Sequence, residues 1–301
     1  MYREKICIFA SNSNKMNSNH TIKSVQVLFK EELKALYPQR EIEGITYILL
    51  EHLLNYSKIE IQLNKNEKIE QNNFERISEA LVDLKRSIPI QYIIGETEFY
   101  DLRFKVNEHT LIPRQETEEL VHAIINDNRV VNPKILDVGT GSGCIPIVLA
   151  HNIVGANVSS VDVSEGAIVI AKENALINKT EISFYHRDFL NWEDYSWDKD
   201  FDIIVSNPPY VKESEKELMQ KNVLAYEPHT ALFVDDNDPL IFYRRIAEFA
   251  KSHLKKGGKL YFEINEALGC EMVELQESLG FTSVRLMKDL NGRDRMTSAE
   301  W

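Results

Sequence analysis

The residues best suited to do chemistry are Asn207-Pro208-Pro209-Tyr210. They follow an apolar run, Phe201-Asp202-Ile203-Ile204-Val205-Ser206, that reads as a buried strand. Each proline fixes φ and removes a backbone donor, and Pro209 holds Pro208 extended. The carbonyls at the strand end therefore cannot all enter a ladder. An Asn side chain and a bare carbonyl are left at the sheet edge beside an aromatic ring. Two acceptors and a ring suit a planar amide or an exocyclic amine, whose two N–H groups they can take. The plain alternative is a proline-rich turn, because Pro and Asn punctuate loops generally.

A second segment supplies a ligand-binding turn. Lys134-Ile135-Leu136-Asp137-Val138 is a short β-run, and Gly139-Thr140-Gly141-Ser142-Gly143 follows with glycines at alternate positions. Cys144 to Ala150 is apolar and can open a helix. Glycines let the backbone turn tightly and approach a ligand with no Cβ in the way. The spacing differs from the dinucleotide fingerprint and lacks the Lys-Ser/Thr ending of a phosphate loop. Val158-Ser159-Ser160-Val161-Asp162 predicts a second strand ending in a carboxylate, placed to take the two hydroxyls of an adenosine ribose. A glycine turn with no partner for a pyrophosphate, followed by this carboxylate, favours S-adenosylmethionine over NAD. The competing role for Asp162 is to cap the helix after Val163-Ser164.

These groups need a frame. Strands are expected near 134–138, 158–162, 182–186, 201–206, 259–264 and 283–288, with a last one near 295–300 and helices between them. Such alternation from Gln115 onward calls for an α/β fold with a doubly wound, mainly parallel, seven-stranded sheet. Both motifs then lie beyond the carboxyl ends of strands, where these sheets bind ligands. The earlier part reads as helical. Ile22 to Tyr37 is amphipathic, and Glu41 to Tyr56 is apolar along one face. Phe74, Ile77, Leu81, Leu84 and Ile88 recur at the helical period, a core-facing stripe ended by Pro89. A polar stretch, Asn64 to Asn73, separates the helices. Phe99-Tyr100-Asp101-Leu102-Arg103-Phe104-Lys105-Val106 alternates as a strand pair does. The expected organisation is a leader of unassigned role at 1–15, a small N-terminal helical substrate-recognition domain at 16–95, a β-hairpin linker at 96–114 and the main domain at 115–301. Met16 offers an alternative start.

Composition narrows the class. A chain of 301 residues is long enough for two domains. Its formal net charge of −12 and lack of Lys/Arg clusters argue against a nucleic-acid binder, which needs a basic patch. Cys7, Cys144 and Cys270 are odd in number and far apart, so no disulfide framework is expected. The eight histidines show no metal-ligand spacing. No apolar run reaches membrane-spanning length, and Ile6 to Ala10 is too short for a signal segment. A reducing, cytoplasmic location fits.

Taken in order, Gly139–Gly143, Asp162 and Asn207–Tyr210 resemble a class I S-adenosylmethionine-dependent methyltransferase that modifies nitrogen. Asn-Pro-Pro-Tyr is shared with DNA adenine methyltransferases, so it leaves the acceptor open. Other segments narrow the resemblance. Pro89-Ile90-Gln91-Tyr92-Ile93-Ile94-Gly95, Glu98-Phe99-Tyr100, Leu111-Ile112-Pro113-Arg114-Gln115-Glu116-Thr117-Glu118, Glu227-Pro228 with Ala231-Leu232, and Gly292-Arg293-Asp294-Arg295 resemble the release-factor glutamine methyltransferases (the HemK/PrmC family). The likeness runs from about Ile22 to the C-terminus. The family usually has Pro at the place of Gln115 and a glycine-rich segment at the place of Val234-Asp235-Asp236-Asn237-Asp238-Pro239-Leu240.

The resemblance implies a substrate: the glutamine of the Gly-Gly-Gln loop of peptide-chain release factors, methylated on its side-chain amide nitrogen, with S-adenosylhomocysteine as the second product. Asn207 and the Pro208 carbonyl would accept the two amide N–H bonds, Pro209 would shape the substrate side, and Tyr210 would pack on the amide. Gly139, Thr140, Gly141, Ser142 and Gly143 would line the methionine part of the cofactor, with Asn207 also beside it. Asp162 would hold the ribose, and Asp188 and Phe189 would meet the adenine. Arg114 and Glu116 resemble residues near the cofactor, with a solvated ion pair as the alternative.

Overall fold

The computed structural model describes residues 20–301. The expected leader, Cys7 and Met16 lie outside the described residues. The described chain divides into two units at Ile94/Gly95.

The first unit is helical: α1 (Ile22–Leu33), α2 (Gln39–Leu54), α3 (Lys58–Leu63), α4 (Gln71–Lys85) and α5 (Ile90–Ile94). Thr21 and Ser24 form a reciprocal cap at the start of α1, and Ser57 and Glu60 do so for α3. Ile22, Val25, Phe29 and Leu33 make the buried stripe of α1. They pack with Leu49, Leu50, Ile61, Ile77 and Leu84 in this unit's own core.

Two expectations need correction. The fourth helix stops at Lys85 with Arg86 as its cap, and Ser87 turns left-handed at φ +66°, so Ile88 falls outside the helix and Pro89 does not end it. The polar stretch at 64–73 is also shorter than expected, because α4 already begins at Gln71.

The second unit opens with a hairpin, β1 (Glu96–Phe99) and β2 (Leu102–Lys105). Its two-residue loop places both Tyr100 and Asp101 at positive φ, the conformation that matches strand twist. Then follow α6 (Gln115–Asp127), β3 (Lys134–Val138), α7 (Cys144–Asn152), β4 (Asn157–Asp162), α8 (Glu165–Ile177), β5 (Ile182–His186), β6 (Phe201–Ser206), β7 (Val211–Lys212), α9 (Lys221–Tyr226), β8 (Phe233–Val234), α10 (Ile241–His253), β9 (Leu254–Glu263), α11 (Gly269–Ser278), β10 (Thr282–Lys288) and β11 (Asp294–Glu300).

Seven strands form one sheet in the order β10-β11-β9-β6-β3-β4-β5. β9, β6, β3, β4 and β5 are parallel, and β11 runs antiparallel to both β9 and β10. The expected doubly wound, mainly parallel sheet is present. β9 starts earlier than the expected 259, because Gly257 at φ +80° and a register shift carry Lys255 to Gly258 into the strand.

Alternate residues of each central strand face opposite layers. Ile135, Ile203, Val205 and Tyr261 pack with Leu120 and Ile124 of α6 and Ile147 and Val148 of α7. Leu136, Ile204, Leu260 and Phe262 pack with Tyr243, Ile246 and Phe249 of α10 and Met272 of α11. Burial on both faces is why these strands read as continuous apolar runs. The chain winds outward from β3 to β4 and β5, then returns to β6 on the other side of β3. That reversal opens a crevice beyond the carboxyl ends of β3 and β6.

Candidate active site

The register pairs Val138 with Ser206, and the Ser206 hydroxyl donates to the Val138 carbonyl at 2.6 Å. The Gly139 turn and Asn207 are therefore neighbours by construction. A Cβ placed on Gly139 would lie 3.6 Å from the Asn207 carbonyl oxygen.

In the glycine turn, the N–H groups of Gly139 and Thr140 both donate to the Val161 carbonyl, at 2.9 and 3.1 Å. Gly139, Gly141 and Gly143 all have positive φ. Gly143 has no room for a side chain: a Cβ would meet Ile147 at 3.0 Å and Ala171 at 3.1 Å. Gly141 faces open space. The Thr140 and Ser142 side chains are buried, so what the turn presents to a ligand is backbone. The Thr140 hydroxyl reaches Ser160 at 2.6 Å, and Ser160 donates to Asp137 at 2.6 Å. Burial pushes the Asp137 carboxyl up to about 7, against the Ser160 hydrogen bond.

Asp162 bridges two loops. One carboxylate oxygen accepts from Gly141 N and the other from Ser164 N, both at 2.8 Å. The cap of α8 is Ser164, which accepts from Ala167 N at 3.2 Å, so the capping role proposed for Asp162 passes to Ser164. Burial raises the Asp162 pKa, opposed by the N–H groups of Gly141, Ser164 and Val163. A carboxylate has about four acceptor sites, so Asp162 keeps capacity for a ligand hydroxyl after holding both loops. With the open space at Gly141, this set fits S-adenosylmethionine.

Next along the sheet edge, Arg187 N donates to the Asp162 carbonyl at 2.9 Å, which holds the segment after β5 beside it. Asp188 caps the following turn, accepting from Leu190 N at 3.0 Å and from the Asn191 amide at 2.7 Å. Phe189 is buried, edge-on to Phe249 and Trp197 at 5.0 and 5.3 Å between ring centres.

On the acceptor side, the Asn207 amide nitrogen donates to the Thr117 hydroxyl at 3.2 Å, and Thr117 donates to Glu263 at 2.6 Å. The Tyr210 hydroxyl donates to the other Glu263 oxygen at 3.1 Å. Asn265 donates from its amide to the Tyr210 carbonyl at 3.1 Å. Pro208 is buried, while Asn207, Pro209 and Tyr210 are half-buried. Glu263 closes β9 with a side chain in the sheet interior, and the residue is 1% exposed. Burial raises its pKa, opposed by hydrogen bonds from Thr117 and Tyr210 and by the charge of Arg295. Sequence reading missed Glu263 and gave Thr117 no role. The signal was an acid inside the apolar run Leu260-Tyr261-Phe262-Glu263-Ile264.

Arg114 and Glu116 do not form the ion pair considered above. Arg114 pairs with buried Glu227 at 2.5 Å, and Glu227 also accepts from Ile112 N at 3.3 Å. Glu116 contributes its charge to the surroundings of Glu263 and Arg295. The departures from the family pattern are accommodated locally. Gln115 is the first residue of α6, where proline is favoured but not required. Asp235 accepts from Asn237 N at 2.8 Å, and Asp238 pairs with Arg244 through two 2.8 Å bonds, so side chains shape the 234–240 segment.

Comparison with known proteins places this geometry in a family. Residues 116–232 match the family described as Methyltransferase small domain, and residues 28–95 match the PrmC N-terminal domain. The chain is 48% identical over 279 residues to the release factor glutamine methyltransferase of Flavobacterium psychrophilum, covering 91% of this chain and 97% of that one. It is 40% identical over 275 residues to the enzyme of the same name from Bacteroides thetaiotaomicron, covering 91% and 98%. A solved structure of a release factor-specific protein-(glutamine-N5) methyltransferase from Alicyclobacillus acidocaldarius is 28% identical, with a TM-score of 0.40 over 65% of this chain and 98% of that one. The sequence relatives span nearly the whole chain, and the chain belongs to the release factor glutamine methyltransferase family.

Proposed function

We propose that this protein methylates the side-chain amide nitrogen of the glutamine in the Gly-Gly-Gln loop of peptide-chain release factors. The observation that carries this reading is the adjacency of the Gly139 turn and Asn207 at the ends of β3 and β6. S-adenosylmethionine, when bound, supplies the electrophilic methyl group. Gly139 to Gly143 line its methionine part with backbone, Asp162 takes the ribose hydroxyls, and Asp188 and Phe189 form the adenine end.

An amide nitrogen is a poor nucleophile because its lone pair is delocalised into the carbonyl. The Asn207 side-chain oxygen and the Pro208 carbonyl accept its two N–H bonds. Two fixed acceptors immobilise the nitrogen and favour a pyramidal, more nucleophilic form. Positioning of this kind lowers a barrier by roughly 7–11 kcal/mol. Positive charge grows on nitrogen as the new bond forms, so preorganised acceptors bind the transition state better than the ground state. The displaced proton leaves to water, and Tyr210 helps to close the site around the amide.

The formal net charge of −12 supports a protein acceptor over a nucleic acid. Among the described residues no helix is long and apolar enough to cross a membrane, and we place the enzyme in the cytoplasm with its substrate. The test is transfer of labelled methyl from S-adenosylmethionine to a purified release factor, to DNA and to tRNA in parallel. Label on the release factor, lost when its Gly-Gly-Gln glutamine is replaced, is the expected result. Label on nucleic acid alone overturns the reading.

A further inference from the structure

Asn207 can serve as an acceptor only if its carboxamide presents oxygen, not nitrogen, to the incoming amide. A carboxamide is nearly symmetric in shape, and rotation by half a turn exchanges the two. The structure shows what breaks the symmetry. The Asn207 nitrogen faces the Thr117 hydroxyl at 3.2 Å, and that hydroxyl lies 2.6 Å from a Glu263 oxygen. A hydroxyl has one proton to give. Both Glu263 oxygens accept, one from Thr117 and one from Tyr210, so Thr117 spends its proton on Glu263 and can offer Asn207 nothing but a lone pair. The partner of that lone pair must be the N–H group, and the Asn207 oxygen is turned the other way.

Glu263 acts on the far end of the motif as well. Its second oxygen takes the Tyr210 proton at 3.1 Å. One buried carboxylate thus imposes direction on both ends of Asn207-Pro208-Pro209-Tyr210. An apolar residue would fill this interior position at less cost, because a buried charge loses its hydration. The charge of Arg295, with a side chain 12% exposed, offsets part of that cost.

From this we infer that Thr117 and Glu263 are positioning residues for amide methylation: through the Glu263–Thr117–Asn207 chain they fix the Asn207 carboxamide with its oxygen toward the substrate. The inference rests on the amide-clamp reading of Asn207. Neither residue is placed against substrate or cofactor, and each acts through Asn207 or Tyr210.

The experiment compares Thr117→Val, Thr117→Ser, Glu263→Met and Asn207→Ala in the full chain. The readouts are single-turnover methyl transfer to a release factor, calorimetric affinity for S-adenosylmethionine and melting temperature. Valine keeps the shape of threonine without the hydroxyl. Thr117→Val is expected to slow transfer by about tenfold to a hundredfold, the scale of one hydrogen bond in a charge-assisted chain. Cofactor affinity should stay at the wild-type value. Thr117→Ser, which restores the hydroxyl, should recover most of the rate. In Asn207→Ala the carboxamide is gone, so adding Thr117→Val should cost nothing further. Glu263→Met keeps the side-chain length but removes both acceptors, so it should reproduce the slow transfer, and it serves as the second variant if Thr117→Val does not fold. Wild-type transfer by folded Thr117→Val or Glu263→Met, with Asn207→Ala slow, overturns the positioning role alone. Losses that multiply in the double variant also overturn it. Wild-type transfer by Asn207→Ala overturns the clamp, and the positioning role with it.

Discussion

At the scale of single residues, the two sides of the crevice make separable demands. We propose that Asn207 belongs to the acceptor side, while the glycine turn and Asp162 belong to the cofactor. Asn207→Ala should therefore leave S-adenosylmethionine affinity nearly unchanged and slow single-turnover transfer by about two to three powers of ten, as when one preorganised contact to a transition state is lost. Asn207→Asp is the sharper control. It keeps an acceptor oxygen but loses the donor that Thr117 receives at 3.2 Å, and it sets a second negative charge near Glu263. Wild-type rates for both variants at saturating substrate would reduce Asn207 to a loop residue. Asp162→Ala should act in the opposite sense. Two ribose hydroxyls lose a charged acceptor, and binding should weaken by about 1.5–3 kcal/mol. The fold should also melt earlier, because Gly141 N and Ser164 N lose their common partner. Earlier melting with undiminished affinity would assign Asp162 to loop bridging alone.

At the scale of elements, the ends of β3 and β4 are tied together by the buried Thr140–Ser160–Asp137 chain. The Asp137 carboxyl has an ordinary value of 3.8 and is held at about 7 in the fold by burial. The folded state therefore binds this proton more tightly than the unfolded chain does. Its stabilising contribution is complete below the ordinary value and is lost as pH rises through about 7. Asp137→Asn keeps the shape and the Ser160 hydrogen bond but removes the titration. Urea midpoints measured across this range should fall with pH more steeply in the wild type than in the variant. Parallel curves would show that Asp137 does not titrate there. The strands themselves were legible because parallel strands buried on both faces are unbroken apolar runs between turn residues. The early start of β9 was hidden because Lys255, Lys256, Gly257 and Gly258 look like a loop, and only the pairs Leu254–Phe201 and Lys259–Ile203 on either side carry them into the strand as a bulge. The end of α4 was hidden because Ser87 takes a left-handed conformation that a serine does not advertise. The glycine turn and the place of Asp162 at the end of β4 were readable from local spacing. The Thr117–Glu263 contact was not, since it joins residues 146 apart in the chain.

At the scale of the whole molecule, we propose that the two units divide the labour, the first recognising the release factor and the second carrying the chemistry. The first has its own core around Phe29, Leu50, Ile61 and Ile77 and its own helix caps. The second contains every residue proposed for the cofactor site and the amide clamp, in a unit, Gly95–Trp301, of ordinary domain size. We expect the 95–301 fragment to fold and to bind S-adenosylmethionine as tightly as the full chain does. Its transfer to a release factor should fall by at least about tenfold, equivalent to roughly 1.4 kcal/mol of lost docking free energy. Transfer to a short glutamine peptide, which has no surface to dock, should be equally slow in fragment and full chain. The peptide arm separates the two ways in which the fragment can fail. A fragment slower than the full chain on the peptide has a damaged chemical site, and its slow reaction with release factor then says nothing about docking. A fragment as fast as the full chain on release factor removes the helical unit from substrate recognition and leaves selection to the crevice alone.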